Sequence, residues 1–191
     1  MNSHFVPIEA DRVYKLLNIG ATTLVSACYE ENADVMPAAW ACALDLVPCK
    51  ATVVIDKSHF TRHLVEKSGY FALMLPTRAI AKETLYFGSV SKHDDKEKLE
   101  KSGAEFFKVD GFDMPLVKDC AAWMIFKVLP EPHNEKTYDL FIGECVAAWA
   151  DDRIYRDGRW LFEKADKSMS TLHYVAGGHF YTMGEPIDVE I

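Results

Sequence analysis

The chain has 191 residues, a net charge of -8, 49% hydrophobic residues and 26% charged ones. That length and apolar content suit one domain spanning 1–191 with a full core, and they exclude a disordered chain. The acidic balance argues against nucleic-acid binding, which needs a basic face to meet phosphates.

No apolar run approaches the roughly 20 residues that a bilayer-spanning helix needs. The start, Met1-Asn2-Ser3-His4, lacks the basic and apolar parts of a signal peptide. A cytoplasmic protein that makes no membrane contact is expected. The five cysteines, Cys28, Cys42, Cys49, Cys120 and Cys145, are widely spaced and form no Cys-x-x-Cys pair. They read as buried small hydrophobes in a reducing compartment, neither zinc ligands nor a redox dithiol.

In chain order, residues 21–29 are small and β-branched and predict a strand. After an acidic turn, 35–46 predicts a second, longer strand, with Pro37 near its start, where a missing donor is tolerated. Residues 51–55 are nearly all apolar and predict a strand buried on both faces. Residues 59–68 have helical spacing, with Ser58 as candidate N-cap and Gly69 as stop. Strand returns over 70–75, a short helix over 78–87, and a charged helix over 94–102 before Gly103. Strands over 121–129 and 140–149 flank a polar loop at 131–136. Asp157-Gly158 inside 153–160 signals a hairpin, because it supplies the positive φ of a tight turn. The tail 173–181 is aromatic around Gly177-Gly178. About seven strands with two or three short helices, not alternating as βαβ units, point to a mainly β protein. The economical architecture is a β-barrel with inserted short helices, since closure removes sheet edges.

Three segments carry candidate chemistry. The helix start groups Lys57, Ser58, His59, Thr61 and Arg62, and a helix N-terminus attracts a phosphate. An ordinary capped surface helix would show the same residues. The small side chains of Ala38, Ala39 and Ala41, between Met36 and Trp40, let a flat heterocycle approach the strand backbone. A tightly packed sheet face would look alike. The loop with Ser89, Ser91 and Lys96 is rich in donors, as many plain loops are. There is no G-x-G-x-x-G, P-loop, G-x-S-x-G or H-E-x-x-H motif. Among the seven histidines, only His59 and His63 have metal-ligand spacing, a weak signal alone.

Taken in order, several segments resemble the flavin reductase-like family with an FMN-binding split barrel, the flavoredoxin and flavin:NAD(P)H reductase group. They are Gly20-Ala21-Thr22-Thr23-Leu24-Val25-Ser26, the turn with Asn32, Ala39-Trp40, Thr52-Val53-Val54-Ile55 and Lys57-Ser58-His59-Phe60-Thr61-Arg62. Glu66-Lys67-Ser68-Gly69-Tyr70-Phe71, Gly88-Ser89-Val90-Ser91 with Asp95-Lys96, Leu140-Phe141-Ile142-Gly143-Glu144-Cys145-Val146 and the tail His173 to Tyr181 follow. The resemblance spans about residues 20–183.

It implies a homodimeric split β-barrel with bound FMN near the subunit interface and NAD(P)H as reductant. Met36, Ala38, Ala39, Trp40 and Ala41 would then face the isoalloxazine. Lys57, Ser58, His59, Thr61 and Arg62 would hold the phosphate, and Ser89, Ser91 and Lys96 would close over the cofactor. The flavin carries the redox chemistry, so no protein nucleophile is required. The resemblance thus implies an oxidoreductase passing electrons from NAD(P)H to free flavin or to a redox partner protein. A non-catalytic flavin- or tetrapyrrole-binding carrier, or an interaction protein with an empty site, is compatible with the same fold.

Overall fold

The computed structural model describes residues 20–189; the segment Met1 to His4 lies outside them. The first four strands are β1 (Thr23–Tyr29), β2 (Asn32–Ala38), β3 (Ala41–Leu46) and β4 (Cys49–Val54). Helix α1 (Phe60–Ser68) and β5 (Tyr70–Pro76) follow, then a 3-10 turn (Arg78–Ile80), α2 (Ala81–Ser89) and α3 (Lys98–Lys101). β6 (Phe106–Val109), β7 (Phe112–Val117) and β8 (Cys120–Leu129) precede α4 (Pro132–Tyr138) and β9 (Leu140–Ala150). Two hairpins end the chain: β10 (Tyr155–Arg156) with β11 (Arg159–Trp160), and β12 (Leu172–Ala176) with β13 (His179–Thr182).

Seven strands form one antiparallel sheet in the order β2-β1-β5-β8-β9-β4-β3. Its two edges, β2 and β3, are separated in sequence only by Ala39 and Trp40. The three Cα steps from Ala38 to Ala41 span about 11 Å at most. The sheet must therefore roll until its edges meet at that link. Strand 35–46, expected as one piece, is broken here so that its halves can serve opposite edges. Pro37 sits on an edge strand, where its missing N–H costs no ladder bond.

Rolling gives the sheet an inside and an outside, and strand alternation sorts residues between them. Val25, Met36, Val53, Phe71, Phe126 and Phe141 meet in one interior cluster, capped by Leu64 and Val65 of α1. The alternate positions Leu24, Val35, Ala72, Met74 and Ile125 pack outward under Met114, Leu116 and Val117 of β7 and Phe87 of α2. β1 and β5 are thus buried on both faces. β4 is not: Ala51 and Val53 are buried, but Thr52 and Val54 are only half-buried.

Local chemistry explains the other departures. α1 ends at Gly69 (φ 71°), but its N-cap is His59, without a side-chain cap bond. Ser58 instead donates its N–H to Asp56 Oδ1 at 2.8 Å. The expected helix over 94–102 shrinks to α3, because Asp95 Oδ1 takes the N–H of Glu97 and Ser91 Oγ that of His93. The expected loop at 131–136 is mostly helix, started by Pro132, whose missing N–H costs nothing there. The hairpin β6–β7 was not foreseen, although Asp110-Gly111 (Gly111 φ 86°) is the same turn signal as Asp157-Gly158. Cys120 is buried, but Cys42 and Cys49 are exposed, against the expectation for the cysteines.

Gly143 of β9 lies where the interior is tightest. A Cβ there would sit 2.7 Å from Phe126 Cβ and from the Phe71 ring, and those rings are stacked at 5.2 Å. Gly143→Ala should cost about 1–3 kcal/mol by overpacking, read as a lower urea midpoint with an unchanged m-value.

Candidate functional site

A cavity of about 660 Å³ opens at the seam where β2 passes into β3. One wall is Met36, Ala38, Ala39 and Trp40; the second is the start of α1, with Ser58, His59 and Thr61. Ser89, the last residue of α2, and Ser91, just beyond it, form the third, and Tyr174 and Phe180 of the last hairpin close the fourth. The seam is stitched on both sides. Thr23 Oγ1 donates to the Ala38 carbonyl at 2.8 Å, and the Val54 N–H to the Trp40 carbonyl at 3.0 Å. α2 lies close against β2 because Gly88 has no side chain: a Cβ there would be 2.8 Å from Pro37 Cγ.

Four residues expected at this site do not line the cavity. Ala41 packs against the interior cluster. Lys57 and Lys96 sit exposed on turns. Arg62 is a correction, because it lies outside the cavity lining and its guanidinium is engaged elsewhere. Nε donates to Glu66 Oε1 at 2.7 Å, Nη1 to the Ile55 carbonyl at 3.0 Å and to Asp139, and Nη2 to the Glu135 carbonyl at 2.8 Å. Burial opposes its charge, but Glu66 and Asp139 outweigh burial and raise its pKa. Arg62 therefore pins α1 to α4, with four of its five N–H donors spent away from the cavity. Thr61 is limited too: its hydroxyl is buried and donates to Asp34 Oδ2 at 2.7 Å.

The cavity floor holds a pair that the sequence reading missed. Lys98 Nζ lies 3.0 Å from Asp34 Oδ1, with each side chain 2% exposed. Burial pushes the Lys98 ammonium below its ordinary pKa, and Asp34 opposes that fall. The Oδ1 contact is an ion pair more than an aligned hydrogen bond, and Oδ1 has no hydrogen-bond partner among the described residues. Also lining the cavity, the buried Thr84 hydroxyl has no hydrogen-bond partner among the described residues. The signal for Asp34 was available: it shares a strand face with Met36 and Ala38, and an acid on an apolar face needs a partner. Nothing in the run of charges distinguished Lys98 from Lys96.

The family model described as "Flavin reductase like domain" matches residues 19–180. The chain belongs to this family. Among curated relatives, the uncharacterized protein YddH of Escherichia coli K12 is 36% identical over 97% of this chain and 98% of its own. Among solved structures, the FMN-binding domain of a flavin reductases-like enzyme from Shewanella baltica OS155 is 45% identical, covers 97% of both chains and superposes with a TM-score of 0.87. The flavoredoxin of Desulfovibrio vulgaris shares the flavin reductase-like fold at 22% identity, with a TM-score of 0.74 over 89% of this chain and 90% of its own. The architecture is thus the FMN-binding split barrel, with the cavity at the split.

Asp34→Asn should leave Lys98 buried and uncompensated, at a cost of about 3 kcal/mol at neutral pH. The unfolded chain then holds a proton that the folded chain releases, so stability should recover as pH rises. The window runs from the depressed folded pKa of Lys98 up to its ordinary 10.5. Urea midpoints measured from pH 7 to 10 check this, and a variant that is no less stable or that weakens with pH contradicts it.

Proposed function

We propose that this protein binds one FMN per chain in the seam cavity and acts as an NAD(P)H-dependent flavin reductase or flavoredoxin-type oxidoreductase. The observation that carries this reading is the cavity's composition. It has an apolar strand wall of small residues, an uncapped helix start at one end and a buried ammonium in the floor. Its volume suits a ligand of this size. The start of α1, which has no side-chain cap bond, and the Thr84 hydroxyl, which has no partner among the described residues, are what a phosphate-tailed ring would use. The likeness to the FMN-binding Shewanella protein supports the same cofactor.

Bound FMN supplies the transfer of one or two electrons. The chain's residues bind and orient it. The small side chains of Ala38 and Ala39 admit the ring to the strand backbone. Ser58, His59 and the first N–H groups of α1 hold the phosphate. Thr61 and Asp34 act one step back, fixing Lys98, which supplies the cation at the cavity in place of Lys96. Ser89 and Ser91 close one side, while Tyr174 and Phe180 exclude water on the other. Asp56 borders the phosphate end, so Ser58 and His59 must offset a carboxylate there.

The second subunit would cover β3. Five of the six residues of this edge strand are exposed. Leu44 is 53% exposed, Leu46 and Val47 are 89%, and Trp40 at the cavity is 52%. An apolar edge of this kind is a pairing hazard unless covered, and a second copy covers it symmetrically. The flavin reading also fits a cytoplasmic protein; no described helix is long and apolar enough to cross a membrane.

Several measurements check the reading. The purified, reconstituted protein should release FMN at one per chain by mass analysis, and anaerobic NADH or NADPH should bleach its colour. Retained colour under both reductants would favour a flavin carrier instead. Ser58→Ala and His59→Ala should each weaken FMN binding about 10- to 150-fold, for a lost hydrogen bond to a charged group. Arg62→Met should leave that affinity unchanged while costing roughly 3–5 kcal/mol of stability; the opposite pattern overturns the phosphate assignment. Light scattering should give a dimer that Leu46→Lys with Val47→Lys converts to a monomer.

A further inference from the structure

The sheet register creates a second reactive feature, away from the cavity. β4 and β9 pair from Val54↔Leu140 to Lys50↔Glu144. The pairing ends there; carried one step further, that register would set Cys49 opposite Cys145, and Cys49 is close enough to act on the Cys145 thiol. Both side chains belong to the inner face of the sheet. Cys49 alternates with the buried Ala51 and Val53, and Cys145 with Phe141 and Gly143. Cys145 packs against the interior cluster. Opposed residues in an antiparallel ladder have Cα atoms about 4.5–5.5 Å apart, inside the range of about 4.4–6.8 Å that a disulfide bridges. Both cysteines are free thiols here.

The two thiols differ in access. Cys49 is exposed at the root of the turn between β3 and β4, while Cys145 is half-buried. Cys145 Sγ donates to the Ala147 carbonyl at 3.5 Å. Burial, and then the neighbouring Cys49, push the Cys145 thiol up, so Cys145 is the weaker first nucleophile. The remaining exposed thiol, Cys42, lies opposite Thr52 on the outer face and does not point toward this pair.

We propose that Cys49 and Cys145 form a site of reversible oxidation, closed to an intramolecular disulfide by a hydroperoxide. The Cys49 thiolate attacks one peroxide oxygen, the O–O bond breaks, and the first water or alcohol leaves, giving a sulfenic acid. Cys145 sulfur then attacks Cys49 sulfur, the S–OH bond breaks, and a second oxygen leaves as water. The two thiols give up two electrons and two protons, and the peroxide takes both. A dithiol reductant reverses the reaction. The bond would tie the root of the β3–β4 hairpin, with its exposed Leu44, Leu46 and Val47, to β9 where its pairing with β8 shifts register between Cys145 and Ala147. This inference does not depend on flavin binding.

The test treats the full chain with hydrogen peroxide and counts thiols under denaturing conditions. Two of the five thiols should be lost, and dithiothreitol should restore them. The chain mass should fall by about 2 Da, with a non-reduced digest linking the Cys145 peptide to the one that carries Cys49. Cys49→Ser should abolish the link and Cys42→Ser should keep it. A link that survives Cys49→Ser, one that joins separate chains only, or oxidation of Cys49 to the sulfinic acid without a link would each overturn the proposal.

Discussion

The two-residue link between β2 and β3 is the constraint on which the structure depends. Because Ala39 and Trp40 must carry the chain from one edge of a seven-stranded sheet to the other, the sheet cannot stay open. It also cannot close fully, because a link is not a strand and offers no continuous ladder. The Ala38 and Trp40 carbonyls are tied to β1 and β4 respectively, so the gap has fixed walls. The cavity is what remains between those walls, α1 and α2. Small residues at the link keep it open, and Gly88 brings α2 close enough to form its side.

The buried Asp34–Lys98 pair is the costly element in this arrangement. Two desolvated charges contribute little net stability, and an apolar pair of similar volume often does as well. Their placement at a cavity floor, with the Thr61 hydroxyl fixing the second carboxylate oxygen, suits holding an ammonium in one position instead. A cation on a rigid strand–helix frame is preorganised for a charged or electron-rich ligand, with no reorganisation needed on binding. Arg62 shows the opposite use of charge. Its four partners lock α1, and so the angle at which the helix start meets the cavity.

Much of this was legible in the sequence, for identifiable reasons. β1, β5, β8 and β9 carry β-branched or apolar runs that only a strand buried on one or both faces explains. Asp157-Gly158 and Gly177-Gly178 fix hairpins through their positive φ. The order of the small-residue strand, the basic helix start and the serine loop pointed to one ligand, and the fold brings the centres of all three to the same cavity. What escaped was set by tertiary context. A cation on a helix start reads the same whether it faces a ligand or, like Arg62, a neighbouring helix. Lys96 and Lys98 are alike in composition, and only Lys98 is buried, in its pair with Asp34 of β2. The break at Ala39-Trp40 leaves no turn residue to mark it, since it is produced by sheet closure and not by local propensity.

The most direct test is a crystal structure of the protein reconstituted with FMN. The account requires the ring to lie along the backbone at Ala38 to Trp40, the phosphate at the start of α1 by Ser58 and His59, and Lys98 still paired with Asp34. A phosphate bound at Arg62, or a flavin bound outside the seam, would contradict it.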